Sequence, residues 1–142
     1  MKFDQNKIMK LSSEIFNSLE RLRELSNIEK EDFLKDDYKI ASAKYFLLVS
    51  IGAVIDISSH LISKNRFRAP ENYADTFKVL YEEELLPEYL MIKLIEMAKF
   101  RNRLVHIYWE VDDQLIYHLI KVDIKDIEEF MDNILEKLKG PH

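Results

Sequence analysis

No cysteine occurs in the 142 residues, so a disulfide framework and a thiolate metal site are both excluded, and a metal would have to rest on histidine and carboxylate alone. Nothing in that count conflicts with a reducing cytoplasm. Glycine occurs twice and proline three times, too few turn-formers to join many short strands, so long helices must organise the apolar residues. The longest apolar run, residues 45–57, carries Ser50 and Gly52 and falls short of the roughly twenty residues a bilayer crossing needs, so no membrane span is expected. Met1 is followed by a charged amphipathic stretch rather than the unbroken apolar run of a signal peptide, and the chain reads as cytoplasmic. Positive charge is also in deficit. With 21 Lys and Arg against 26 Asp and Glu, the formal net charge is −5, which argues against a general nucleic-acid binder and makes any such role local.

What is present is apolar residue at helical spacing, and 47% hydrophobic content in a chain this long fills one core and one domain. Ile8, Leu11, Ile15, Leu19, Leu22 and Leu25 recur three and four apart and predict a helix over 4–26, with a short turn at 29–35. A second helix over 38–63 is apolar on more than one face through Ile40, Ala43, Leu47, Ile51, Val54, Ile55 and Leu61, the pattern of a central helix covered on several sides. Residues 64–70 read as a loop, and Ala69-Pro70-Glu71-Asn72 as the start of a short third helix through Tyr73, Phe77 and Leu80. Pro87 opens a fourth helix to about residue 105, striped by Leu90, Leu94, Met97, Arg101 and Leu104. The periodicity breaks over 109–113, with Asp112 a cap, and resumes from Leu115 to Leu138 with Asp123 as a possible interruption; residues 139–142 read as a tail. The expected fold is all-α, a four- to five-helix up-and-down bundle that dimerises.

Two basic patches run against the overall sign: Lys64, Arg66 and Arg68, and Lys93, Lys99, Arg101 and Arg103, the second opposed only by Glu96. Each either faces phosphate or is solvated surface. Arg101 stands apart because it lies four residues after Met97 and seven after Leu94, on a stripe that otherwise reads as core. A guanidinium there snorkels out, pairs with an internal carboxylate, or lines a cleft that admits an anion. Asn102 and His106 are four apart and share a second face, so His106 is turned roughly 140° from Arg101 on an ideal helix. One helix aims the two poorly at a common point. A second copy packed antiparallel would bring two such pairs into one cleft, so a symmetric homodimer answers the geometry.

Arginine, histidine and an amide suffice for RNA cleavage without metal: a base for the 2′-hydroxyl proton, an acid for the leaving oxygen, and a cation for the phosphorane. The bland alternative is a buried ion pair and a hydrogen-bonded core histidine. Asp56 and His60, also four apart, are possible cleft-lining residues, as is Arg103; a hydrogen bond between Asp56 and His60 would raise the imidazole pKa. The plainer reading of that pair is structural, and two ligands are too few for a metal site. Trp109, Phe67 and Tyr73 are either base-stacking or packing aromatics, and His118 has no evident partner.

The run Met97-Ala98-Lys99-Phe100-Arg101-Asn102-Arg103-Leu104-Val105-His106-Ile107-Tyr108-Trp109-Glu110-Val111-Asp112 resembles the signature of HEPN domains, specifically the HepT-like RNase toxins encoded beside minimal nucleotidyltransferase (MNT) antitoxins. The pattern is Arg, four to six residues, then His, with a polar residue after the Arg and a Tyr two after the His. Arg101, Asn102, His106 and Tyr108 satisfy it, and the similarity extends through residues 53–62, 70–77 and 116–117. The resemblance implies a dimeric, metal-independent endoribonuclease that needs no cofactor. Arg101 would stabilise phosphate charge, His106 serve as acid or base, and Asn102 orient the reacting groups. It also implies an MNT-type nucleotidyltransferase antitoxin that adds AMP to Tyr108 and repels RNA by bulk and charge. Two readings compete: a non-catalytic subunit that binds nucleotide or presents substrate to the transferase, and a plain dimerising bundle.

Overall fold

Short polar side chains mark where the helices begin. In the computed structural model, residues 1–139 are described, and four helix starts are capped by carboxylates or an amide. Asp4 accepts from the Lys7 N–H and opens α1 (Gln5–Ser26). Asp36 accepts from Tyr38 and Lys39 and opens α3 (Asp37–Lys64), after a five-residue α2 (Lys30–Leu34). Asn72 accepts from Asp75 and opens α4 (Tyr73–Glu82), Pro87 precedes α5 (Glu88–His106), and Asp112 accepts from Gln114 to open α6 (Asp113–Leu138). A 3-10 turn, Tyr108–Glu110, joins α5 to α6.

With so little glycine, two helix ends are closed by other residues. Arg66 and Glu84 adopt φ of 55° and 61°, and the bonds Phe67 N–H to Ile62 O and Leu85 N–H to Leu80 O wrap the last turns of α3 and α4. That left-handed closure favours glycine, so both positions hold a modest strain.

The four long helices alternate in direction. Lys2 and Asn65 bond at one end of α1 and α3, Lys44 of α3 meets Tyr108 after α5, and Lys93 of α5 lies 3.5 Å from Asp126 of α6. Helix α3 packs against α1, α2, α4, α5 and α6 and is buried over most of its circumference, as expected of the central helix, while Tyr38, Ala41, Tyr45, Asp56 and Ser59 leave one stripe exposed. It is long and apolar enough to cross a bilayer, contrary to the expectation from its interrupted apolar run, but most of that stretch is buried inside the bundle. Phe33, wholly buried, makes a helix of what the sequence marks only as a turn, with its ring centroid 5.1 Å from that of Tyr117. The all-helical up-and-down bundle therefore has six helices among the described residues, one more than expected. The expected tail at 139–142 lies outside the described residues beyond Lys139, the C-cap of α6.

Asp123 does not interrupt α6. It sits inside the helix, 5% exposed, with Oδ2 lacking a hydrogen-bond partner. Burial, reinforced by the nearby Asp126 carboxylate, pushes its carboxyl up to about 7 from the ordinary 3.8. The folded chain thus holds a proton that the unfolded chain has lost between those values, so this group's contribution to stability declines as pH rises through that window. The Asp123→Asn variant removes the ionisation while keeping the shape. Thermal unfolding should show the two proteins closest near pH 4, with the variant ahead by several degrees at pH 8; an equal gap at both pH values would refute the buried carboxyl's role.

Candidate functional site

Helix α5 carries Leu90, Leu94, Met97 and Leu104 fully into the core, so the stripe reading holds and Arg101 is the one charged residue on it. Arg101 is half-buried. Its Nε is buried with no hydrogen-bond partner, and its guanidinium carbon lies 5.4 Å over the ring of Tyr73, the first residue of α4. Of the three expected fates of this arginine, pairing with an internal carboxylate is not the one taken: among the described residues it makes no ion pair. Its only side-chain bond reaches Asn102 Oδ1 at 3.5 Å, the outer limit of such a contact. The cation–π contact with Tyr73 holds the guanidinium without using its N–H groups as donors to a carboxylate.

His106 is the last residue of α5 and is exposed. Ile107 leaves helical geometry at φ −131°, ψ 43°, so Tyr108 is not carried onward by α5 toward the Arg101 face, as a continuing helix would have done. The 3-10 turn sets its position instead. Tyr108 is half-buried, and Lys44 of α3 holds it from below: Nζ donates to the Tyr108 carbonyl at 3.0 Å and stands 4.7 Å from the ring centroid. Lys44 went unrecognised as a site residue in the sequence, although a signal existed. It lies three, four and seven residues before Leu47, Leu48 and Ile51, a charge among apolar neighbours much as Arg101 is.

Asp56 and His60 do not form the expected pair. Asp56 is exposed, while His60 is buried with Nε2 accepting from the Asp4 N–H at 2.8 Å. The expected pKa direction is reversed as well: burial first, then Lys7 and Lys64, lower the imidazole against a smaller opposing effect of Asp4. His60 lies sixteen residues along α3 from Lys44, about 24 Å at helical rise, and no hydrogen bond or ion pair among the described residues joins it to Arg101, His106 or Tyr108. Arg103 is exposed and borders a groove of about 550 Å³ between α5 and α6, floored by Met97, Phe100, Leu115 and Leu119. Ile92 and Val122 on the same groove are 51% and 41% exposed.

Of the first basic patch, Arg68 is spent internally, while Lys64 and Arg66 are exposed. Arg68 grips Asp75 and Glu82 through four hydrogen bonds, and with the Glu71 N–H it holds the Asp75 carboxyl down at about 2. Lys99 and Arg103 of the second patch remain exposed beside Arg101.

A family model described as ribonuclease HepT-like matches residues 15–134. The mRNA nuclease HepT of Shewanella oneidensis is 30% identical over 105 residues, covering 74% of this chain and 76% of that protein. The tRNA nuclease HepT of Aphanizomenon flos-aquae is 26% identical over 102 residues, covering 72% and 69%. Among solved structures, the tri-AMPylated Shewanella oneidensis HEPN toxin in complex with MNT antitoxin aligns with a TM-score of 0.84 and 25% identity, over 92% of this chain and 97% of that one. A cytosolic protein of unknown function from Bacillus subtilis shares the fold at a TM-score of 0.83 and 22% identity, over 99% and 96%.

The relocation of His60 makes it a fastener of the chain's beginning. His60→Ala strands the Asp4 N–H beside the first turn of α1 and should cost about 1–3 kcal/mol, read from urea unfolding. A midpoint and slope equal to the wild type would show that the bond holds nothing.

Proposed function

Because the chain belongs to the ribonuclease HepT-like family, we propose that it is the RNase toxin of a HEPN/MNT pair, a metal-independent endoribonuclease of the cytosol whose site is composite between two protomers. The observation that carries this reading is the arrangement at the end of α5: an arginine over Tyr73 with no ion pair among the described residues, an exposed histidine five residues on, and Tyr108 in the turn that follows. Neither side chain is consumed by structure.

The chemistry is an in-line displacement. The RNA 2′-hydroxyl oxygen bonds to the adjacent phosphorus as His106 of one protomer takes its proton, and the bond from phosphorus to the 5′-oxygen breaks as a second acid protonates that leaving oxygen. The products are a 2′,3′-cyclic phosphate and a 5′-hydroxyl. His106 of one protomer supplies the base, water can supply the acid, Arg101 of the other protomer neutralises the charge that grows on the phosphorane, and Asn102 orients either the imidazole or the phosphate. Arg103 and Lys99 give local attraction for the backbone in a chain of net charge −5. The groove between α5 and α6, with its exposed Ile92 and Val122, offers an apolar face for the second copy.

Control falls on Tyr108. Its phenolic oxygen bonds to the α-phosphorus of ATP on an MNT-type nucleotidyltransferase, the bond to the β-phosphate breaks, pyrophosphate leaves, and the phenolic proton passes to a base of the transferase. Each AMP adds negative charge and bulk at the end of α5, where RNA would enter. The solved Shewanella oneidensis HEPN toxin that this chain resembles is itself AMPylated and bound to an MNT antitoxin.

Purified, unmodified protein should cut single-stranded RNA in the presence of EDTA and leave 2′,3′-cyclic phosphate ends. His106→Ala and Arg101→Ala should each lose at least about a hundredfold in rate, the scale of one acid–base or charge-stabilising group. Full activity in His106→Ala, or cleavage that EDTA abolishes, would overturn the assignment.

A further inference from the structure

We propose that Lys44 is a positioning residue that presents Tyr108 for nucleotidyl transfer by clamping the turn between α5 and α6 to the central helix. The inference rests on the reading of Tyr108 as the modified residue.

Lys44 is 6% exposed, on a helix whose other buried residues are all uncharged apart from the titratable His60. A lysine so placed loses hydration that a methionine of similar length would not need, so its partners indicate what it is for. All of them lie within residues 108–113. Nζ donates to the Tyr108 carbonyl at 3.0 Å, stands over the Tyr108 ring at 4.7 Å, and pairs with Asp113 at 3.8 Å, the first residue of α6. One ammonium therefore ties the backbone and the ring of the same tyrosine and the helix that follows it.

Besides the partial packing of Ile107 and Tyr108 against the core, the turn has few other restraints. None of the three residues Tyr108–Glu110 is buried, and Trp109 is 81% exposed. Ile107 donates to Arg103 O and Glu110 to Ile107 O, both bonds local to the segment. Val111 anchors the far end through its buried side chain. Lys44 is thus the polar link that fixes which way the Tyr108 ring faces. A transferase needs the phenolic oxygen in line with the α-phosphorus and the departing pyrophosphate, and fixing ring and backbone together removes the freedom that would otherwise spoil that line. The two attachments act on the ring face and the carbonyl, and neither uses the hydroxyl.

Three variants test this with an MNT-type transferase that modifies the wild-type chain, followed by intact mass over time. In Lys44→Met, kcat for AMP addition should fall by about tenfold or more, with KM for the toxin little changed, because the docking surface is intact and only the alignment is lost. Lys44→Arg, which keeps the cation and the donor, should recover most of that loss. Tyr108→Phe should gain no AMP. Trp109 is the only tryptophan, so its fluorescence anisotropy reports the order of the turn without any transferase; it should drop in Lys44→Met and recover in Lys44→Arg. Thermal unfolding of Lys44→Met should match or exceed that of the wild type.

Wild-type kinetics and anisotropy in Lys44→Met would overturn the inference while leaving the Tyr108 reading standing. So would equal losses in Lys44→Met and Lys44→Arg that track a lowered melting temperature, which would mark Lys44 as structural only. If the wild type gains AMP at another residue, the Tyr108 reading fails and takes the transfer role of Lys44 with it; the anisotropy comparison then still decides whether Lys44 holds the turn.

Discussion

The burial of α3 over all but one stripe is the constraint from which the rest of the molecule follows. A helix with Leu47, Ile51, Val54, Ile57 and Leu61 all within 1% of full burial must be largely enclosed, and the five other helices pack around it. Enclosure fixes the direction of α5 against α3, and that direction brings the end of α5 to the beginning of α3. Lys44 and the turn at Tyr108 meet for that reason, although 64 residues separate them in the chain. The same packing sets α4 beside α5, which lays Tyr73 under the guanidinium of Arg101.

Seen this way, the candidate site is a place where the bundle's own rules are broken twice. Arg101 occupies a core position and Lys44 a buried one, and neither is neutralised in the way a merely structural charge would be. Arg101 has a ring and no carboxylate; Lys44 has an ion pair at 3.8 Å with a partly exposed Asp113, but its shortest contact is to a carbonyl. Breaches of local consistency of this kind concentrate where a protein acts. Asp123 is a third breach, yet it lines the groove between α5 and α6, apart from the turn that carries Tyr108.

Much of this was legible in the sequence because it depends on spacing. The helix expected over 4–26 runs from Gln5 to Ser26, and that expected over 38–63 runs from Asp37 to Lys64, since Asp4 and Asp36 cap where the periodicity begins. Arg101 was legible as an anomaly on a stripe. What was not legible depends on meetings between distant segments: the acceptor for His60 is a backbone N–H at residue 4, and nothing at residue 60 announces it. The neighbouring Asp56 suggested a local partner that the structure does not use. Arg66 and Glu84 take left-handed conformations that their residue types do not signal, because the closure of α3 and α4 demands it where glycine is absent. The position of Tyr108 was not legible either, because it is set by the break at Ile107 and by a 3-10 turn rather than by the helical period of α5.

The central claim is that Arg101 of one protomer works with His106 of the other. It follows from their divergence on one helix and from the apolar groove beside them, and it is tested most directly by mixing two inactive proteins. Arg101→Ala and His106→Ala subunits, unfolded together and refolded or exchanged, form hybrid dimers in which one intact arginine faces one intact histidine across the axis. With random assortment, half the dimers are hybrids with one working site of two, so the account predicts recovery of about a quarter of wild-type RNA cleavage. A mixture no more active than its separate components, with hybrid dimers demonstrated by native mass spectrometry, would contradict it.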